Sequence, residues 1–310
     1  MRTVFFGSPP FAIPAFQALL QSNELPIALV TAPPRRSGRG RKEEANPLVV
    51  MAEEASVKVF RPESTRSDEW LQTFKGLKSD LGVVVSYGQI LNWATLVTPR
   101  YGLINLHGSL LPRWRGASPI QAAILAGDKK TGVCIQQMVE ALDAGPVLAC
   151  AEIALTPDER ADELFQRLSH LGASLLIDFL KEVKCGPLPL GEAQNARAVT
   201  VCKKIKPSDG RIDWNQSADV VDRLVRAMAG WPSARSTLPD GSSLKIHTGE
   251  PSSLAANVEP GTVISLEGGV FVQCNGGSFR IDRLQRAGKG ALNAMDYVRG
   301  SSMKEGEVFG

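Results

Sequence analysis

The sequence predicts an α/β domain built on a mostly parallel sheet, followed by a smaller second domain dominated by β-strands. Three observations support this prediction. Short β-rich runs alternate with helical stretches through the first half of the chain. The final part contains mainly short β-rich runs separated by turns. The length of 310 residues also exceeds what a single hydrophobic core usually serves, so two domains are expected.

The first half begins with RTVFFG, which predicts a buried strand that ends at Gly7. AIPAFQALLQS has apolar residues at helical spacing, and IALVTAP predicts the second strand. NPLVVMAEEA then predicts a helix that starts at Asn46-Pro47, and KVFRP predicts a third strand. The next segments are SDEWLQTFKGL, a helix opened by a Ser/Asp cap, and LGVVVSYG, a fourth strand.

Further strands are predicted for GLINLHG and TGVCIQQMV, and a long amphipathic helix for DELFQRLSHLGASLLIDFLKEV. This alternation is typical of an open, mostly parallel sheet with helices on both faces. In such sheets the ligand site lies beyond the carboxyl ends of the strands. The residues that follow those ends are therefore the first place to look for chemistry.

The pattern changes at KCGPLPLGEAQNARAVTVCKKIKPSDG, whose prolines and glycines follow no period and predict a linker. The expected boundaries are a first domain over 1–185, a linker over 186–206 and a second domain over 207–310. The second domain opens with the helix-like SADVVDRLVRAMAG. Four short runs follow, SLKIHTGE, GTVISLEG, GVFVQCNGG and SFRIDRLQ. They predict a small β-barrel or sandwich, and an OB-like barrel would suit an oligonucleotide partner.

Composition narrows the functional class. The hydrophobic content of 43% and charged content of 22% are ordinary for a soluble globular protein. The formal net charge of +3 permits a nucleic-acid partner without requiring one. The N-terminal run MRTVFFGSPPFAIPAF is too short, and too broken by prolines, for a signal or membrane segment. We therefore expect a cytoplasmic protein with no membrane partner. A monomer is also expected, although no sequence feature establishes it.

The cysteine and histidine content bears on redox state and metals. The five cysteines are Cys134, Cys150, Cys185, Cys202 and Cys274. They form no CxxC pair and their number is odd, so we expect reduced, mostly buried thiols. With only three histidines and scattered cysteines, no cluster has the spacing of metal ligands. No metal cofactor is therefore expected.

The most informative stretch is INLHGSLLPRWRG, which spans 104–116. If LINLH is a strand, Asn105 and His107 point to the same face at its carboxyl end, and Gly108 lets the chain turn away. An imidazole can exchange protons near neutral pH. An asparagine amide can stabilise a developing oxyanion, an effect worth roughly 3 kcal/mol in transition-state energy. The pair therefore suits acyl transfer through a tetrahedral intermediate.

An imidazole that acts in this way needs a third group to orient it. Asp143 in EALDAGPVL is the best candidate, because it lies in a glycine-containing turn between two apolar runs. Ser109 follows closely after His107, but it lacks the G-x-S-x-G elbow of a nucleophile. From the spacing alone, His107 could equally be a core histidine bonded to the backbone.

These motifs resemble the folate-dependent formyltransferase family. The match is carried by NLHGSLLP, WRGASPIQAAILAG, LDAGPV and the upstream SYGQIL. The second half, from KIKPSDGRIDW to GWPSA, resembles the C-terminal domain of members that act on initiator methionyl-tRNA. One departure is Pro10, where the family usually has an acidic residue. The resemblance spans essentially the whole chain, and it implies a Rossmann-like catalytic domain followed by an OB-like domain.

The resemblance implies that the formyl group of 10-formyltetrahydrofolate passes to the α-amine of methionyl-tRNA. Asn105 would hold the formyl oxygen, His107 would take or relay the amine proton, and Asp143 would orient the histidine. The folate site would be lined by one turn, Ser109, Leu110, Leu111 and Pro112. Its pterin pocket would also use the backbone around Gln89-Ile90 and Val139-Glu140.

A basic loop, APPRRSGRGRKEEA, follows the second strand. It carries five cationic side chains among glycines: Arg35, Arg36, Arg39, Arg41 and Lys42. Charged loops are usually only solvated. This one is expected at the same sheet edge as the catalytic trio, where it suits the phosphates of a tRNA acceptor stem. The resemblance makes Arg39 its main contact, and Lys204 and Lys206 extend the basic track.

Three other functions remain to be weighed. A formyltransferase that acts on a small amine, such as an amino sugar or glycinamide ribonucleotide, would not need the basic loop or the second domain. An RNA-binding protein with an inactive folate-like domain would not need Asn105, His107 and Asp143 together. A dinucleotide-dependent dehydrogenase would require a G-x-G-x-x-G motif after the first strand, and none is present.

Overall fold

A computed structural model describes residues 1–33, 45–183 and 186–310. Its contacts divide the chain into two compact units. The first unit is Met1–Pro119, Lys130–Ala154 and Phe165–Cys202, and the second is Ile120–Lys129, Leu155–Leu164 and Lys203–Gly310. Most of the segment predicted as a linker, 186–206, therefore folds with the first unit. Of the predicted tRNA-binding residues, Arg35, Arg36, Arg39, Arg41 and Lys42 lie outside the described residues.

The first unit is built on a seven-stranded sheet with the order β3-β2-β1-β4-β5-β7-β8. The strands are β1 (Thr3–Gly7), β2 (Ala28–Val30), β3 (Lys58–Phe60), β4 (Leu81–Val85), β5 (Leu103–His107), β7 (Lys130–Gln137) and β8 (Val147–Ala154). The first five pair in parallel, while β5–β7 and β7–β8 pair antiparallel. Every residue of β1 and β4 is buried, as continuous apolar runs require in a sheet covered on both faces. The predicted α/β class is confirmed.

Among the described residues, six α-helices accompany these strands. They are α1 (Ile13–Gln21), α2 (Pro47–Glu54), α3 (Asp68–Gly76), α4 (Trp93–Leu96), α5 (Pro119–Ala126) and α6 (Ala161–Val183). Two predicted helix starts have the expected side-chain caps. The Asn46 side chain accepts a hydrogen bond from the Leu48 amide, and the Ser67 hydroxyl accepts one from the Trp70 amide. These caps satisfy amide donors that the first helical turn leaves free.

The strands β7 and β8 correct one expectation about the cysteines. Cys134 on β7 lies directly opposite Cys150 on β8, and the two sulfurs form a disulfide bond. The prediction of reduced thiols is therefore wrong for this pair. It failed because the spacing of 16 residues shows no recognisable motif, and only the antiparallel register brings the two side chains together. Cys202 and Cys274 are buried free thiols, whereas Cys185 lies outside the described residues.

Two short strands form a separate ladder in the first unit. They are β6 (Arg115–Gly116) and β9 (Val201–Cys202), which pair in parallel. Gly116 has a φ of +116°, and a Cβ at this position would overlap the backbone oxygen of Cys202. Glycine is required here for both reasons. This ladder joins the chain before α5 to the end of the predicted linker.

The second unit is an antiparallel sheet with the order β10-β11-β14-β13-β12, to which β15 adds beside β14. Its strands are β10 (Ala234–Thr237), β11 (Ser243–Ser252), β12 (Val263–Ser265), β13 (Val270–Cys274), β14 (Gly277–Arg286) and β15 (Leu292–Asn293). Its helices in this part of the chain are α7 (Ala218–Ala227) and α8 (Ala294–Arg299). One face of α7 packs into the core through Val221 and Val225.

The C-terminal tail links the two edge strands of this sheet. Thr237 on β10 exchanges both backbone hydrogen bonds with Gly310, and Val263 on β12 donates to the backbone oxygen of Glu307. Pairing of both edges with one tail removes exposed edge groups and gives the sheet a barrel-like closure. The predicted small β-barrel domain agrees with this arrangement.

In the described ranges, no helix combines the length and apolar character needed to cross a membrane. Over the same ranges, no group of three or more His, Cys, Asp or Glu side chains is arranged to hold a metal ion.

Candidate active site

The centre of the site is the carboxyl end of β5. Asn105 and His107 alternate with the buried Leu106 and therefore share one face of the strand. The side chain of His107 is only 7% exposed. Its position in the sheet is fixed on both sides of β5, since β4 pairs in parallel and β7 pairs antiparallel. The structure thus places the predicted amide and imidazole together at the end of a central strand.

Asp143 reaches this pair from the loop that joins β7 to β8. The loop is closed at its base, where the Gln137 amide donates to the backbone oxygen of Pro146. Asp143 itself has a φ of +48°, a left-handed conformation that aspartate tolerates better than most residues. Two residues later, a Cβ at Gly145 would overlap the backbone oxygen of Gln137. This tight turn directs the Asp143 side chain back toward β5.

The three predicted catalytic residues therefore meet. The Nδ2 atom of Asn105 donates to Oδ1 of Asp143 at 3.4 Å, and Nδ1 of His107 lies 3.8 Å from Oδ2. On its other side, Nε2 of His107 lies 3.0 Å from the backbone oxygen of Trp114. Both imidazole nitrogens thus face acceptors. The Trp114 oxygen only accepts, so Nε2 carries the proton that it binds, whereas Nδ1 lies beyond hydrogen-bond distance of Asp143.

Two further donors hold the carboxylate of Asp143. The amide nitrogen of Gly116 donates to Oδ2 at 2.8 Å, and Nε2 of Gln136 donates to Oδ1 at 2.9 Å. The side chain of Gln194 binds the backbone of the same turn, since its Nε2 donates to the backbone oxygens of Asp143 and Gly145 at 2.8 and 2.7 Å. None of these three supporting contacts was predicted from the sequence. The available signal was Gln136, a polar residue inside the apolar run TGVCIQQMV.

The turn that directly follows β5 contains the predicted folate-lining residues. Ser109 is fully buried, and its hydroxyl donates to the backbone oxygen of Arg113 at 2.6 Å. The Ser109 side chain therefore donates its proton inside the turn. Leu111 is buried, while Leu110 and Pro112 are half-buried. The peptide bond between Leu111 and Pro112 is cis.

The loop after β4 supplies an apolar surface. Ile90 is 74% exposed, which is unusual for a large aliphatic side chain. The side chain of Gln89 is engaged locally, since Oε1 accepts from the Thr65 amide and Nε2 donates to the backbone oxygen of Pro62. In the loop before β8, Val139 and Leu142 are also exposed, while Glu140 is exposed beside Val139.

A cavity of about 700 Å³ lies beside the loop before β8 and the segment that precedes β5. Its wall includes Trp93, Val97, Met138, Val139 and Leu190. Exposed apolar side chains around a cavity of this size are typical of a small-molecule site.

Cys202 is a titratable group that borders the site. Its sulfur donates to the backbone oxygen of Arg115 at 3.4 Å. Burial raises the pKa of the Cys202 thiol, and the negative charge of Asp143 raises it further. The thiol therefore stays neutral near physiological pH and is not an activated nucleophile.

The remaining predicted tRNA-binding residues, Lys204 and Lys206, are exposed and belong to the second unit. Part of the positive charge of that unit is already paired. Arg280 forms ion pairs with Glu250 and Asp282, and Arg286 pairs with Asp240.

Comparison with known proteins identifies relatives over nearly the full length. Residues 1–180 match the formyl transferase family model, and residues 204–302 match the model of the formyl transferase C-terminal domain. A methionyl-tRNA formyltransferase from Parvibaculum lavamentivorans is 41% identical over 310 residues, covering 99% of each chain. One from Methylococcus capsulatus is 40% identical over 303 residues, covering 98% of each chain.

Solved structures share the fold at low identity. A methionyl-tRNA formyltransferase from Clostridium thermocellum has a TM-score of 0.60 at 15% identity, covering 94% of this chain and 100% of that one. The sugar 3N-formyl transferase WlaRD, solved with dTDP and 5-N-formyl-THF, has a TM-score of 0.68 at 14% identity. That match covers 94% of this chain and 99% of that one. These likenesses support the fold alone.

Proposed function

The chain belongs to the formyl transferase family, and from that premise we propose that it formylates initiator methionyl-tRNA. The formyl group of 10-formyltetrahydrofolate passes to the free α-amine, giving N-formylmethionyl-tRNA for translation initiation. One observation carries this choice of substrate. Relatives of about 40% identity over both domains bear the name methionyl-tRNA formyltransferase.

Asn105 is proposed to hold the formyl oxygen. One hydrogen of its Nδ2 atom is directed to Asp143 Oδ1, which leaves the second for an acceptor in the site. A preorganised amide donor aimed at a developing oxyanion contributes roughly 3 kcal/mol of transition-state stabilisation. The contact with Asp143 fixes which end of the amide faces that oxygen, because a carboxylate only accepts.

His107 is proposed to take or relay the proton that the attacking α-amine loses, and to carry the resulting positive charge beside the oxyanion. Its Nε2 is held by the Trp114 backbone oxygen, whereas Nδ1 lies 3.8 Å from Oδ2 of Asp143, so the geometry does not require a proton on Nδ1. The attacking α-amine must itself be neutral. A cationic imidazole next to a developing negative charge lowers the barrier most in a site shielded from water. Asp143 holds that cation in place and compensates its charge.

The described residues fit a folate co-substrate. When bound, it supplies the formyl carbon as electrophile and a nitrogen as leaving group. Ile90, Val139 and Leu142 provide exposed apolar surface for a flat ring system, and the backbone at Gln89-Ile90 and Val139-Glu140 provides polar groups. Leu110, Leu111 and Pro112 are proposed to line the same site, whereas Ser109 contributes only through the shape of its turn.

For the tRNA, we propose contacts with the basic loop and with Lys204 and Lys206. The loop residues are Arg35, Arg36, Arg39, Arg41 and Lys42, with Arg39 as the main contact. Cationic side chains neutralise phosphates without reading bases, so binding should weaken steeply with salt. The substrate and the absence of a membrane-spanning helix among the described residues fit a cytoplasmic protein, and a monomer is proposed.

The test compares acceptors under one set of conditions. The protein is incubated with 10-formyltetrahydrofolate and either charged initiator tRNA or a panel of small amines that includes amino sugars, and formyl transfer is followed. The proposal expects product on methionyl-tRNA and none on the small amines. Transfer to a sugar amine without transfer to charged tRNA would overturn it. The His107→Gln variant is the matched control for non-enzymatic formylation.

A further inference from the structure

The buried Gln136, the half-buried Gln194 and Arg115 form a hydrogen-bonded network that ends on Asp143. Nε of Arg115 donates to Oε1 of Gln194 at 3.0 Å. Nε2 of Gln194 lies 3.4 Å from Oε1 of Gln136, and Nε2 of Gln136 donates to Oδ1 of Asp143 at 2.9 Å. The network connects four segments of the first unit, namely β6, the segment before β9, strand β7 and the loop before β8.

The hydrogen bonds of this network can be donated in only one direction. A guanidinium only donates hydrogen bonds, so the oxygen of Gln194 must face Arg115 and its nitrogen must face the other way. The carboxylate at the opposite end only accepts, so Gln136 must present its nitrogen to Asp143 and its oxygen to Gln194. Each amide is thus oriented by a group whose own polarity cannot reverse. A reversed amide at Gln136 would set its oxygen against the carboxylate.

Gln194 also fixes the backbone on which Asp143 stands. Its nitrogen donates to the backbone oxygens of Asp143 and Gly145, and these residues form the turn in which Asp143 has its positive φ. Gln136 is only 1% exposed, so water does not replace its donor. One glutamine therefore holds the main chain of the turn and the other holds its carboxylate.

We propose that Gln136 and Gln194, oriented by Arg115, are positioning residues that aim the Asp143 carboxylate at Asn105 and His107. They act through Asp143 and touch no substrate. The inference rests on the proposed function only because the rate of formyl transfer is used to detect a change in the orientation of the Asp143 carboxylate. Without Gln136, Oδ1 loses its shortest donor, and the carboxylate turns away from His107.

The decisive experiment is a double-mutant cycle with Gln136→Met, which keeps the length of the side chain and removes its polar groups. A hydrogen bond to a charged group is worth roughly a 10- to 100-fold effect. In the native background we expect kcat to fall by about that factor, while KM for folate and for methionyl-tRNA stays within about twofold. In the Asp143→Asn background, Gln136→Met should change kcat by less than about threefold, measured by single-turnover kinetics. Gln194→Met should behave in the same way.

The matched control is Gln273→Met in the second unit. Gln273 is likewise buried in a strand, and its nitrogen donates to the backbone oxygens of Cys274 and Gly277. We expect this variant to lose thermal stability without the kcat effect. A Gln136→Met variant that loses the same factor in both backgrounds, or only as much kcat as Gln273→Met, would overturn the proposal.

A second readout does not depend on turnover. The chain has 3 histidines, so the imidazole resonance of His107 can be assigned by comparison with His107→Gln. In the absence of substrates, Gln136→Met should shift that resonance, whereas Gln273→Met should not. An unmoved His107 resonance contradicts the positioning role. Absence of wild-type activity on methionyl-tRNA, with the resonance shift present, would instead contradict only the proposed function.

Discussion

Replacing Asp143 with asparagine tests the electrostatic basis of the site most directly. The substitution keeps the shape of the side chain but removes the charge beside His107. It also replaces one acceptor by a donor, while three donors surround the carboxylate, namely Asn105, Gln136 and Gly116. One donor must therefore face another in the variant, whichever way the new amide is turned.

The size of the effect follows from the separation of the two charges. His107 Nδ1 and Asp143 Oδ2 are 3.8 Å apart, and the two side chains are only 7% and 12% exposed. At an effective dielectric constant of about 20, two unit charges at this distance interact by about 4 kcal/mol. If the cationic ring serves the transition state, losing this partner should lower kcat by about a hundred- to a thousandfold.

The assay measures kcat and KM for formyl transfer from 10-formyltetrahydrofolate to methionyl-tRNA by Asp143→Asn and by a matched control. Asp213→Asn in the second unit is suitable, because that carboxylate also accepts from nearby amides, those of Asn215 and Gln216. Its hydrogen bonds to Gln216 and Asn215 lower the pKa of Asp213. We expect the control to retain normal kcat. An Asp143→Asn variant within tenfold of the wild-type kcat would refute the electrostatic reasoning.

Three further predictions concern other parts of the chain. Asn105→Ala and His107→Ala should each lower kcat by at least about a hundredfold while folate binding, followed by fluorescence or calorimetry, survives; near-normal turnover would remove that residue from the mechanism. Arg39→Ala should raise KM for tRNA and flatten its salt dependence, and an unchanged KM would show that the loop does not contact tRNA. Burial raises the pKa of the Cys274 thiol to about 11, so the unfolded chain loses this proton first. The neutral Cys274 thiol should contribute fully to the free energy of unfolding below about pH 9, and this contribution should be lost as pH rises through about 11. Urea unfolding of wild type and Cys274→Ala should therefore show a steeper fall in the free energy of unfolding with pH for the wild type.

The disulfide between Cys134 and Cys150 bears on the catalytic strand. Cys134 pairs with His107 across β5 and β7, and with Cys150 across β7 and β8. The covalent link therefore ties the edge strand β8 to the strand beside His107. The sequence showed five cysteines without a motif, and their pairing depended on a register that composition does not reveal.

The local signals in the sequence predicted much of this protein because they depend on neighbours along the chain. Alternation placed Asn105 and His107 on one face of β5, and cap residues such as Asn46 and Ser67 marked helix starts. The change to short strands marked the second domain. These features follow from strand period, helix capping and burial, which act over a few residues.

The tertiary structure decided how Asp143 is held and how the hydrogen-bond donors are arranged around its carboxylate. Gln194 is 51 residues from Asp143 and 79 from Arg115 in sequence, so no local pattern could link them. The same folding buried Ser109, whose hydroxyl donates to the backbone oxygen of Arg113 within its own turn. Local patterns in the sequence thus identified residues with suitable chemistry. Only the packed fold decided their orientation, because hydrogen-bond direction in a buried site is set by neighbours distant along the chain.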